Sequence, residues 1–434
     1  MTVRSQSGIV LILDQDGPFA TRTAPPGHAP FGREARSWCR AMAAADLATR
    51  YRIIRNQIFE FLDVQSFADI QILIRDQPRR RLVSQRANRL LANLFGIEGT
   101  EREILSKIGA YSRTADAVIR YLQGKVLSRY APHIEMTNEI DAMSSPVDLL
   151  LIVFDDRYHQ KARFEAKRKL VLMSLAGSID QRERETDIEA KFLQFLDFLN
   201  DQVWSQEAKI GELEVAYLLS HHDPETFACQ EVRVVSLDEG PSLRQPGAKL
   251  TLIKRRRFRA NGRQVPIYVS IRKKAPEAKV LKLLRKREEN PAVAVDDELG
   301  LMAVLDSPME VKLFQTHLTR SAIRASSFMT LEEVADTLGG GRYESRAVGS
   351  SAHTPMFKFF ARMGGMRVEF IVHTNRSYLN YMYQRGVAHD EYEVRRIFDS
   401  GVARLLFPQA IYDLDMDSLR DEILGWFRHR LERP

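Results

Sequence analysis

An α+β fold is what this sequence predicts: a mixed sheet flanked by helices in the second half of the chain, preceded by a mainly helical amino-terminal region. Three observations predict it. From about Arg33 to Arg129 apolar residues recur at helical spacing; between 249 and 274 two strand-like runs flank Asn261 and Gly262; and beyond them helical and strand periods alternate as far as His373. A chain of 434 residues has room for two or three domains, and a composition 44% hydrophobic and 9% aromatic can fill real cores in them.

Taken in order, residues 1–32 read as a flexible lead-in, rich in Pro and Gly after one apolar run, Gly8 to Leu13, that is too short for an export signal. Residues 33–145 are helical: Ile53, Ile54, Ile58, Phe61 and Leu62 fall on one stripe. Residues 146–240 read as mixed, because the continuous apolar run from Pro146 to Asp155 suggests a buried strand while the segment from Asp187 to Trp204 has a strong helical period. In the domain expected at 241–390, a hairpin turns at Asn261-Gly262. A helix (276–289), a strand (299–305), a second helix (308–323), a Gly-rich loop and a strand (366–373) follow. Helices close the chain over 391–434, the last introduced by the capping candidates Asp415 and Asp417.

The formal charge of +7 permits anionic partners without requiring one, so local clusters carry the information. Cys39 and Cys229 are the only cysteines, which excludes a disulfide framework and a cysteine-rich zinc site; a reducing cytoplasm is the expectation. No stretch approaches the roughly 20 apolar residues of a membrane span, so no membrane partner is expected.

One long basic segment is "SIRKKAPEAKVLKLLRK", from Ser270 to Lys286. Strand alternation puts Arg272 and Lys274 on one face, and helical spacing groups Lys279, Lys282 and Lys286 opposite Val280 and Leu284. Alone, such a segment is a solvated basic face. Downstream acids change its reading. Asp297 lies just before the strand that begins at Leu299, and Glu369 sits in an alternating strand with Arg367, Ile371 and His373 on its side. Two carboxylates on separate strands can share a Mg²⁺, which takes further ligands from substrate phosphates, and with cations for those phosphates they make the parts of a phosphoryl-transfer site.

In order and spacing, residues 250 to 390 resemble the synthetase domain of the RelA/SpoT family of (p)ppGpp synthetases, a nucleotidyltransferase-like fold. The family's Arg-x-Lys, Ser and Lys positions are Arg272, Lys274, Ala278 and Lys282 here. Its Asp-x-x-Gly-x-Arg is Asp297 to Met302, with Gly300 kept and Met302 in place of Arg. Its helix ending in His resembles "MEVKLFQTHL", its Ser-x-His-Thr resembles Ser351 to Thr354, and its Val-Glu-x-Gln-x-Arg-Thr strand is Val368 to Thr374, with Ile371 for Gln and His373 for Arg. A segment like its Glu-x-Gly-x-Ala follows, with Gln384, Gly386 and Ala388. Gly349 stands where the family's base-stacking Tyr would be, and Arg342, Tyr343 and Arg346 would supply a shifted acceptor surface.

The resemblance implies transfer of pyrophosphate from ATP to the 3′-hydroxyl of a guanine nucleotide, another nucleotide or a tRNA end. ATP phosphates would lie against Arg272, Lys274 and Lys282, Asp297 and Glu369 would hold Mg²⁺ and serve catalysis, and Ser351, His353, Tyr343 and Arg346 would face the acceptor. A reading from another class is a catalytically silent module that binds nucleotide or RNA. The run Lys254 to Arg259, five cations around Phe258, is either an RNA contact or a plain exposed strand face. His222-Asp223 lacks the companions of a metal site and reads as a turn or capped helix end before Pro224, and Tyr378, Leu379, Met382 and Tyr383 read as a packing stripe.

Overall fold

A computed structural model describes residues 12–15, 19–21, 40, 43, 47–204, 214–243, 247–296, 298–340 and 354–432. The lead-in expected at 1–32 falls almost wholly outside them. The chain divides into two compact units: one of Met1–Glu185, Pro276–Ala294 and Phe398–Leu419, the other of Thr186–Ala275, Val295–Ile397 and Arg420–Pro434. The α+β class holds, with a mixed sheet of eight strands and a helical amino-terminal region. No described helix is long and apolar enough to cross a membrane.

The first unit is helical. Its helices include Leu47–Leu62, Phe67–Leu73, Gln77–Phe95, Glu101–Tyr121 and Pro146–Phe154, and most of Gln160–Thr186. Several starts carry a local reason. Asp76 accepts from the Arg79 amide, and Thr100 and Glu103 form a reciprocal capping box. Pro146–Phe154 is a helix, not the buried strand its apolar run suggests. Val147, Leu149, Leu151, Ile152 and Val153 are all buried, so neither period shows in the sequence, and what decides is Ser145 capping the Asp148 amide with Pro146 in the first turn. Leu62, Ile70, Leu73, Val83, Ala87, Val147 and Leu151 form one core cluster; Ile53, expected on its stripe, is 51% exposed.

The basic helix Pro276–Lys286 belongs to this unit. It packs on Glu101–Tyr121 and on Val402–Leu406, burying Val280, Leu281, Leu283 and Leu284. Lys279 is also buried, ion-paired with Glu183. The carboxy-terminal return of the chain is held to the same unit through Arg168, 1% exposed, which donates to the Leu406 carbonyl at 2.8 Å and to the Tyr412 hydroxyl at 2.7 Å. Tyr412 in turn donates to the buried Glu165 at 2.9 Å.

The second unit contains the whole sheet: β1 (Glu214–His222), β2 (Cys229–Val235), β3 (Ala248–Ala260), β4 (Arg263–Lys273), β5 (Leu299–Leu305), β6 (Thr330–Asp336), β7 (Phe357–Met363) and β8 (Met366–Thr374). Their order is β2-β1-β3-β4-β5-β8-β7-β6, and every pair is antiparallel except β5 with β8. The β3–β4 hairpin turns at Asn261 and Gly262, with φ of 51° and 75° and Ala260 paired to Arg263. Positive φ at both central residues is what a two-residue turn between twisted strands requires. Gly364 and Gly365 repeat the device between β7 and β8.

One face of the sheet, with Leu299, Leu301, Phe359, Val368, Phe370 and Val372, packs on Phe195 and Leu199 and on Val311, Phe314 and Leu318 of the helix Pro308–Arg324. Toward the other face, Ile253 and Val304 pack with Tyr378, Leu379 and Tyr381 of the helix Asn375–Tyr383. The tyrosine-rich segment is therefore largely the packing stripe its spacing indicates.

Candidate functional site

The site assembles on β4, β5, β8 and β7. Across them Arg272 is paired with Gly300, Gly300 with Glu369 and Glu369 with Phe360, so four strands are in register at one level. Arg272 and Glu369 are two strands apart, and the strand between them has no side chain there. A Cβ on Gly300 would lie 3.2 Å from Arg272 Nε and 3.4 Å from its Cγ. The glycine thus lets the guanidinium lie across β5, and Arg272 donates to Glu369 Oε2 at 3.3 Å.

On the β7 side, Lys358 Nζ is 2.9 Å from Glu369 Oε1. Both side chains of this pair are 8% exposed, so it is little screened by solvent. Lys274 follows β4 directly and is anchored through its amide, which donates to the Glu298 carbonyl at 3.2 Å. Burial pushes the Glu369 carboxyl up, but the charges of Lys358, Lys274 and Arg272 outweigh it and hold the group below the ordinary carboxylate value. Among the described residues, the ionised Glu369 carboxylate thus sits within reach of the charges of Lys358, Lys274 and Arg272.

An aromatic group borders these charges. Tyr381 is buried, stacks with His389 at 4.9 Å between ring centroids and lies 5.1 Å from His373. Burial raises the Tyr381 phenol, partly offset by Arg272, so it stays neutral. Burial likewise lowers His373 to about 4, which keeps its imidazole uncharged. The face expected for Glu369, Ile371 and His373, opposite Val368, Phe370 and Val372, is the one formed.

Of the residues expected from sequence, Arg272, Lys274 and Glu369 come together. Lys282 belongs to the helical unit rather than to this one. Asp297, Tyr343, Arg346, Ser351 and His353 lie outside the described residues. Lys358 was missed by the sequence reading, as was the role of Tyr381. Lys358 stands where strand alternation from Phe360 would put it on the Glu369 face, and the Gly364-Gly365 turn was the signal that β7 and β8 pair.

Ionised Glu369 is an oxygen donor of the kind Mg²⁺ takes. Among the described residues no group of three or more His, Cys, Asp or Glu could hold a metal ion.

The other basic run is braced. Phe258 is fully buried against Phe314 and His317, so it cannot stack on a base. Arg255 and Arg257 both pair with Glu214, and Arg256 lies 5.8 Å over the Trp204 ring; Lys254 and Arg259 are exposed. His222 ends β1, bonded to Ser220 Oγ at 2.8 Å and the Phe227 carbonyl at 3.0 Å, and Asp223 makes the turn by accepting from the Thr226 amide and hydroxyl. It is a turn, not a helix end.

Comparison with models of protein families, with curated proteins and with solved structures finds no match to this chain.

Proposed function

We propose that the second unit handles polyphosphate, and that its most specific activity is an atypical RelA/SpoT-like pyrophosphotransfer from ATP to the ribose 3′-hydroxyl of a guanine nucleotide, another nucleotide or a tRNA end. The observation that carries this reading is the arrangement around Glu369: a charged carboxylate fixed between Lys358 and Arg272, with a glycine keeping the path of the guanidinium open. In this reading Arg272 and Lys274 bind the donor phosphates. Ser351, His353, Tyr343 and Arg346 are assigned to the acceptor on the resemblance in sequence alone.

The reaction would join the acceptor 3′-oxygen to the β-phosphorus of ATP and break the bond from that phosphorus to the oxygen bridging it to the α-phosphate, releasing AMP. Arg272, Lys274 and Lys358 would stabilise charge on the transferring group through fixed donors. The lowered pKa of Glu369 makes it a weak base at neutral pH, so its role is to accept a hydrogen bond from the attacking hydroxyl and align it, with the proton passing to solvent water as the new bond forms. Asp297 and Glu369 would hold Mg²⁺, which when bound would supply positive charge against the phosphates.

A second reading, a silent module binding nucleotide or RNA, is favoured by two apolar positions: Ile371 is buried, and Met302 packs in the core beside Val304. A titration separates the two. Mg²⁺-dependent ATP binding that is lost in Asp297→Asn supports the transferase, whereas metal-independent RNA binding weakened by Arg257→Ala supports the module.

A further inference from the structure

Within the helical unit lies a cavity of about 620 Å³, the size of a small-ligand site. Its walls come from five helices and are mostly apolar, with Phe61, Leu91, Phe95, Leu150 and Val171 among them. One lining residue is chemically out of place. Lys167, 3% exposed, is the only cation among the described residues that line the cavity. Its ammonium donates to the Phe19 carbonyl at 2.8 Å and lies 5.5 Å from the Phe164 ring. An ammonium carries three donors, so this bond leaves capacity for a ligand. The other charged lining residue, Glu289, is exposed and can stay hydrated.

We infer that this cavity binds a free fatty acid, the alkyl chain among the apolar helix faces and the carboxylate on Lys167. Charge complementarity selects that occupant: an uncharged hydrocarbon would leave a buried ammonium facing apolar atoms, whereas a carboxylate gives it a counter-ion where the Coulomb attraction is strong. Burial pushes Lys167 down to about 7, with Asp14 opposing, so the site as it stands only partly supports the charge. A carboxylate would complete that support. The inference is independent of the site on the sheet.

Equilibrium dialysis of the delipidated full chain against laurate and against 1-dodecanol tests it. Saturable one-to-one laurate binding is expected, weakened at least tenfold by Lys167→Met, with dodecanol binding unchanged in that variant. Leu150→Trp, which fills the cavity, should abolish binding of both while the helical circular dichroism is retained. The inference is overturned if folded protein shows no saturable laurate binding, if Lys167→Met weakens both ligands equally or neither, or if folded Leu150→Trp binds as before.

Discussion

Glu369 shows how much one residue depends on its neighbours. Its carboxylate is ionised because Lys358 and Arg272 outweigh burial, and a carboxyl whose folded pKa is depressed adds stability that is present above its ordinary value, 4.5, and lost as pH falls through the folded one. Glu369→Gln leaves the buried Lys358 without its counter-charge, so at pH 7 the variant should be less stable by about 3 kcal/mol. Urea unfolding at pH 7 and at pH 3 checks this, with the gap between the two proteins shrinking at the lower pH. Gly300→Ala is the complementary change. Its Cβ comes closest to Arg272 side-chain atoms, and the Glu369 carbonyl oxygen at 3.6 Å is at ordinary contact distance, so stability should hardly move while ATP affinity falls roughly tenfold, equivalent to about 1.4 kcal/mol. None of this coupling is legible from residue types alone. Arg272 and Glu369 were identified by order and spacing, but that Gly300 separates them follows only from the register of three strands.

At the scale of elements, legibility tracked how local the deciding physics is. The Asn261-Gly262 hairpin could be read because the turn type dictates its residues. Gly262→Ala should destabilise the second unit by about 1 kcal/mol, since an L side chain at φ of 75° is strained, and a shifted denaturation midpoint would register it. The Gly364-Gly365 hairpin carried a similar signal and was absorbed into a loop, which hid β7 and with it Lys358. Pro146–Phe154 misled for the opposite reason: its burial all round erased the period, and only the Ser145 cap and Pro146 marked it as a helix. The cations of Lys254 to Arg259 could be counted but not placed, because burial of Phe258 depends on Phe314, 56 positions away in the chain, as the numbering shows.

At the scale of the whole molecule, the class and the helical start were legible from periodicity, whereas the division into units was not. The helix Pro276–Lys286 lies in sequence between two sheet strands yet packs with the helical unit. The chain's return at Phe398–Leu419 joins that unit too, where Arg168, Glu165 and Tyr412 form a buried network. Replacing Arg168 with Met leaves Glu165 buried without its charge partner, which should cost about 3–5 kcal/mol, and hydrogen exchange should show the loss centred on the helical unit.

AMP formation from ATP is the direct readout of pyrophosphotransfer on the sheet. Purified protein is incubated with ATP, Mg²⁺ and a panel of acceptors comprising GDP, GTP, other nucleotides and tRNA. AMP and a pyrophosphorylated acceptor are expected in equal amounts, reduced at least a hundredfold in Glu369→Gln. A well-folded protein that forms no AMP with any acceptor, or a Glu369→Gln variant as active as its parent, would contradict this expectation.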